Sequence, residues 1–156
     1  MNNLPETKME EKLIRLDRMK YKNDSVSRML VILSIVFDVL NFTTLYKTNE
    51  SNIFTITLGI SVIYNLLFLL AAFLSSESVK VYNVKYAYLC IALGIMQFVR
   101  IFSFPLDCYK DAIIDLNTYR LLVIFLSLSA ATLLAGAATS IYNCTILKNY
   151  LKSKGE

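Results

Sequence analysis

The sequence predicts an all-α integral membrane protein: a four-transmembrane-helix antiparallel bundle preceded by an N-terminal cytoplasmic amphipathic helix. Three observations carry that class. Four stretches, 29–46, 53–74, 86–104 and 121–142, each hold roughly the 17–25 apolar residues that a helix needs to cross hydrocarbon about 30 Å thick. The 156 residues are 56% hydrophobic, an excess for a water-soluble chain of this length. The Lys and Arg residues are sorted unevenly between the connections, as the positive-inside rule requires of a multi-pass protein. Peptide groups in lipid must be satisfied within the segment, so the spans are helices; a β-barrel needs shorter, alternating segments.

Residues 1–25 form the first region. Met9, Leu13, Leu16 and Met19 or Lys20 recur at helical spacing among charged residues, Thr7 and Glu10 have the spacing of a capping box, and Glu11 precedes Arg15 by one turn. This helix is expected to lie on the membrane surface or to dock on a cytoplasmic partner. Asn23, Asp24 and Ser25 then break the chain and cap the next helix. No small-residue cleavage site follows a short basic region, so the first span is expected to persist in the mature protein.

Residues 26–142 form the bundle. A short connection, 47–52, folds the first two spans into a hairpin, and 75–85 does the same between the second and third. A longer connection runs from Pro105 to Thr118; its Asp107, Asp111 and Asp115 recur every four residues and are expected on the solvated face of one short helix, without the close spacing and glycine turn of a calcium loop. Tyr46, Tyr82, Tyr86, Tyr109, Tyr119 and Tyr142 sit near span ends, where the ring lies in lipid and the hydroxyl among headgroups. Residues 143–156 are a basic cytoplasmic tail.

Orientation follows from charge. Lys8, Lys12, Arg15, Arg18, Lys20, Lys22 and Arg28, with Lys80, Lys85, Lys148, Lys152 and Lys154, belong to one side; the other holds only Lys47, Lys110 and Arg120 beside several carboxylates. Both termini are therefore expected in the cytoplasm, with the protein multi-pass in the plasma (inner) membrane. The net charge of +4 is a topology signal with an added attraction to anionic headgroups, and nucleic acid is not an expected partner. Asn49-Glu50-Ser51 has glycosylation-acceptor spacing, a triplet common by chance.

Polar residues at membrane depth are the candidate site. Asp38, Asn41, Ser61, Gln97, Arg100 and Ser127 lie roughly four to eight residues from the outer ends of their spans and are expected to form one intramembrane polar layer, with an Asp38–Arg100 ion pair at its centre. Tyr64 and Asn65 lie deeper and would line a cavity or bond a neighbouring helix. The pair admits three readings: a clasp fixing helix neighbours, an ion- or proton-coupled site, or a contact to another subunit. Asp38 and Asn41 in the first span are echoed by Gln97 and Arg100 in the third, a correspondence too small to establish a repeat.

The fourth span carries two rows of small residues. Ser127, Ala131, Ala135 and Thr139 form one; Thr132, Gly136 and Ser140 form the other. Such rows let helices approach closely in lipid, and Ala131, Thr132, Ala135, Gly136, Thr139 and Ser140 are the expected helix-packing face. Two rows leave one to spare for another membrane protein or a second copy.

Composition narrows the function. The chain has no histidine, no CxxC pair among Cys90, Cys108 and Cys144, no phosphate loop and no soluble domain, so it is not expected to be an enzyme or to carry a metal or cofactor. The reading that remains is a small non-catalytic tetraspan protein, an accessory or assembly subunit of a larger membrane complex such as a transporter. The alternative is a homo-oligomeric small-solute or ion transporter or channel using the Asp38/Arg100 layer.

Overall fold

In the computed structural model, residues 22–48 and 56–154 are described, together with 10, 11, 13, 14 and 16–19. The described chain is helical throughout: α1 (Ser25–Thr48), α2 (Ile56–Lys80), α3 (Val84–Ile101), the short α4 (Phe104–Lys110) and α5 (Leu116–Lys154). Four of its helical stretches are long and apolar enough to cross a membrane. Thr7 of the Thr7–Glu10 capping box, Arg15 of the Glu11–Arg15 pair and the Asn49-Glu50-Ser51 triplet lie outside the described residues.

Each helix end has a local cause. Asp24 caps α1, its carboxylate accepting from the Ser27 backbone at 3.1 Å and the Ser27 hydroxyl at 2.7 Å. The connection expected over 75–85 shrinks to 81–83: α2 runs on to Lys80, with Ser75 and Ser76 buried in it and their hydroxyls donating to the Ala71 and Phe73 carbonyls of the same helix. The turn is closed by Tyr82 in the left-handed region at φ 58° and by Asn83, whose side chain accepts from the Lys85 backbone at 3.2 Å. Pro105, in the first turn of α4, cannot continue the hydrogen bonding of α3. Asp115 caps α5, accepting from the Asn117 and Thr118 backbone; hydrogen bonds from Thr118 hold its carboxyl below the usual range.

Asp107, Asp111 and Asp115 therefore do not share one helical face: the first lies in α4, the second at its C-terminal cap, and the third opens α5. Residues 143–154, expected as part of a separate tail, continue α5, which reaches 39 residues. The N-terminal helical residues dock on this extension, where the Tyr150 hydroxyl donates to Asp17 at 2.6 Å. Leu16 and Met19 are half-buried, whereas Leu13 and Ile14 stay exposed.

Packing closes the ring α1–α2–α3–α5, with α5 lying along both α1 and α3, and α2 meeting α3 least extensively. The buried positions of α1 are Ser27, Val31, Ser34, Asp38, Asn41 and Leu45, alternating steps of four and three that keep one seam inward. In α2, Ser61, Asn65, Phe68, Ala72 and Ser75 do the same. Serines, amides and one ion pair are inside, while Ile60, Ile63, Leu66, Leu67, Leu70 and Phe73 point outward. A water-soluble chain sorts these types the other way; this distribution is the one a hydrocarbon solvent selects.

Candidate functional site: a buried polar layer and its lateral groove

The seams place five of the six expected layer residues in the interior. The heptad-like step from Ser34 turns Asp38 and Asn41 inward on α1; Gln97 and Arg100, one turn apart, face them from α3; Ser61 approaches from α2. The Asp38 side chain has no solvent exposure and its Oδ1 accepts from Gln97 Nε2 at 2.7 Å. Arg100 Nη1 stands 3.6 Å from the same oxygen. The guanidinium makes its short bonds to neutral acceptors: Nη1 to Asn65 Oδ1 at 2.6 Å and Nη2 to Ser61 Oγ at 3.0 Å. It also lies over the Tyr64 ring, 4.6 Å from the centroid, while the Tyr64 hydroxyl donates to Gln97 Oε1 at 3.4 Å.

Asn65 and Tyr64 thus belong to the layer rather than lying below it. Arg100 reaches down along α2 by the length of its stem, which a reading of Cα depth alone does not capture. Three buried polar atoms beside the pair, Asp38 Oδ2, Asn41 Oδ1 and Asn65 Nδ2, have no hydrogen-bond partner.

Ser127 is not part of this layer. Leu126 and Ser129 hold the inward positions of α5, which turns Ser127 to the outside, where its hydroxyl donates to the Val123 carbonyl of its own helix at 2.7 Å. The inward serine is Ser129, donating to the Ser34 carbonyl at 3.1 Å. Its signal in the sequence is its place on the Leu122–Leu126–Ser129–Leu133 seam.

The two small-residue rows of α5 divide. A Cβ on Gly136 would meet Leu30 and Val31 side-chain carbons at 3.2 Å and the Ser27 carbonyl at 3.3 Å, so that row is the contact to α1. Ser140 is buried beside it, Thr132 is half-buried, and Thr139 from the first row reaches the Ser27 hydroxyl at 3.0 Å. Ala131 and Ala135 face outward.

A second polar cluster closes the end of the bundle near the termini. Asp24, 4% exposed, accepts from Asn143 Nδ2 at 3.0 Å in addition to its cap bonds, and its backbone N–H donates to the Lys80 carbonyl at 2.9 Å. Glu77 bridges Arg28 and Lys80 across the same end. Burial pushes the Tyr82 phenol above its usual range, and the Asp24 carboxylate adds to that push. Beyond breaking the chain and capping α1, Asp24 thus ties α1 to the end of α2 and to α5.

Where α2 and α3 part toward the far end, a lateral groove of about 450 Å³ opens between them. Ile60, Ile95 and Val99 form its apolar flanks, and Arg100, Ser61 and Asp107 its polar end. Among the described residues, no group of three or more His, Cys, Asp or Glu side chains is placed to hold a metal. No protein-family model, curated protein or solved structure matches this chain closely enough to carry an assignment.

Proposed function

We propose that the chain is a small non-catalytic tetraspan membrane protein that serves as an accessory or assembly subunit of a larger membrane complex, such as a transporter. In this reading it sits multi-pass in the plasma (inner) membrane with both termini cytoplasmic, the side to which the charge bias assigns the Lys and Arg residues. The observation that carries the reading is the division of α5: the Gly136 row is filled by α1, whereas Ala131 and Ala135 present a small-residue surface outward. In lipid, where apolar contact with a partner gains nothing over apolar contact with acyl chains, a flat row of small side chains favours close approach of another helix. The Asp38–Arg100 pair supports the same reading as a clasp, since its charges offset each other inside the chain.

The test is gentle detergent extraction from native membranes, followed by size determination and mass spectrometry of co-purifying chains, for the wild type and Ala131→Leu. Stoichiometric recovery of a larger membrane protein with the wild type and its loss with the variant is the expected result. Recovery of a homo-oligomer alone refutes it. That outcome would favour the second reading, a homo-oligomeric transporter or channel, whose supporting observation is the set of three unpartnered polar atoms beside the ion pair; flux measurements on Asp38→Asn would then decide.

A further inference from the structure

Three polar atoms of the layer are used by neither the clasp nor the helix seams. Asp38 Oδ2, Asn41 Oδ1 and Asn65 Nδ2 have no hydrogen-bond partner among the described residues, although their side chains are only 0%, 2% and 3% exposed. A buried polar group left bare forfeits its hydration without return. The three belong to one neighbourhood. Arg100 Nη1 lies 2.6 Å from Asn65 Oδ1 and 3.6 Å from Asp38 Oδ1, so a single guanidinium nitrogen holds those two side chains together. Asn41 follows Asp38 by one turn on the inward seam of α1. Side chains lean toward the N-terminus of their own helix, which carries Asn41 back toward Asp38 on α1 and carries Asn65, on the antiparallel α2, outward to the level of the guanidinium. The Asn65 amide is also fixed in its sense. A guanidinium only donates, so it keeps Oδ1 and leaves Nδ2 to another acceptor.

Two acceptors and one donor define the chemistry of what they bind. A metal cation has nothing to accept the Asn65 N–H, and an anion has nothing to donate to the two oxygens. Neither is called for by charge, because Arg100 already offsets Asp38. A ligand that donates two hydrogen bonds, accepts one and carries no charge satisfies all three atoms, and buried water molecules typically make about three such bonds to groups of this kind. We propose that one water molecule is bound between α1 and α2 in the polar layer, donating to Asp38 Oδ2 and Asn41 Oδ1 and accepting from Asn65 Nδ2. It joins at membrane depth the two helices that Arg28 and Glu77 join near the termini. It also gives each oxygen of the Asp38 carboxylate a donor, Gln97 for Oδ1 and water for Oδ2, which lets the guanidinium spend its short bonds on Asn65 and Ser61.

The inference depends on neither the accessory role nor transport. Its test is nuclear magnetic resonance on the deuterated full chain, labelled with ¹⁵N-asparagine, in deuterated dodecylmaltoside micelles in ordinary water. Magnetisation transfer is followed from the water frequency to the side-chain amide of Asn65, and the opposite signs of the laboratory-frame and rotating-frame effects separate dipolar contact from chemical exchange. A dipolar peak is expected in the wild type. In Asn41→Leu, which removes one of the two acceptors, it should fall by at least about threefold, the effect on occupancy of losing one hydrogen bond. Asn41→Val, with its smaller side chain, takes the place of the leucine variant if that chain does not fold. No dipolar peak in the wild type overturns the site. A peak unchanged in the Asn41 variants comes from exchanging hydroxyls such as that of Ser61, and overturns it equally. Thermal unfolding of the wild type should have the same midpoint in sodium, potassium and choline chloride at equal ionic strength. Stabilisation by either metal ion over choline puts a cation in place of the water, which overturns the assignment and returns the three atoms to the transport reading.

Discussion

If the Asp38–Arg100 pair fixes which helices are neighbours, removing both charges should cost less than the two single removals added together. At 3.6 Å and an effective dielectric near 20, the direct attraction is about 5 kcal/mol, an upper bound from which desolvation must be subtracted. Asp38→Asn keeps an oxygen for Gln97 but leaves Arg100 with only the Asn65 and Ser61 oxygens and the Tyr64 ring. Because those neutral partners remain, we expect a loss of about 2–3 kcal/mol, toward the low side of a broken buried pair. Arg100→Gln leaves a buried carboxylate with Gln97 as its one hydrogen-bond donor and removes two side-chain bonds to α2, an expected loss of about 3–5 kcal/mol. The double variant should fall short of the sum by about 2 kcal/mol. The assay is reversible unfolding in dodecylmaltoside micelles titrated with sodium dodecyl sulfate, followed by circular dichroism. A coupling below about 0.5 kcal/mol would refute the clasp, since independent sites add to within that margin.

Other perturbations separate internal packing from external contact. Gly136→Leu should destabilise the bundle itself by about 1–3 kcal/mol in the same titration, because the new side chain meets Leu30, Val31 and the Ser27 carbonyl of α1; unchanged unfolding would mean that α1 is not seated there. Ala131→Leu, on the outward row, should leave unfolding within about 0.5 kcal/mol of wild type while affecting partner recovery. Asp24→Ala removes a helix cap together with bonds from the Ser27 hydroxyl and Asn143, and should cost about 1–2 kcal/mol, with faster amide exchange in the first turn of α1; exchange confined to wild-type rates would count against the cap.

The number and order of long helices were legible because apolar runs of that length admit few other conformations. Their boundaries were less so. Ser75 and Ser76 read as the start of a loop, yet each satisfies its hydroxyl on its own helix and is buried, and α2 runs on to Lys80. The inward members of the polar layer were legible on α1, α2 and α3, where the few deep polar residues recur at seam spacing. On α5 they were not: Ser127 and Ser129 are both serines at similar depth, and only the packing of Leu126 and Leu133 decides which one turns inward. The same ambiguity hid which small-residue row serves α1. Sequence offers two adjacent stripes about 100° apart per residue step, and the choice belongs to the tertiary contact with Leu30 and Val31. Arg100 was placed by its backbone, although the length of its stem determines which α2 residues it meets.

The continuity of α5 has a mechanical consequence. At 1.5 Å per residue its 39 residues make a rod of about 58 Å, nearly twice the thickness of a hydrocarbon layer. No glycine or proline interrupts it apart from Gly136, which is pressed against α1. The Tyr150–Asp17 bond fastens the N-terminal segment to its far end, and Thr139 and Ser129 fasten its middle to α1. A load applied at the terminal end would therefore tilt the whole rod about its contact with α1, moving the outward alanine row and the seam facing α3 together.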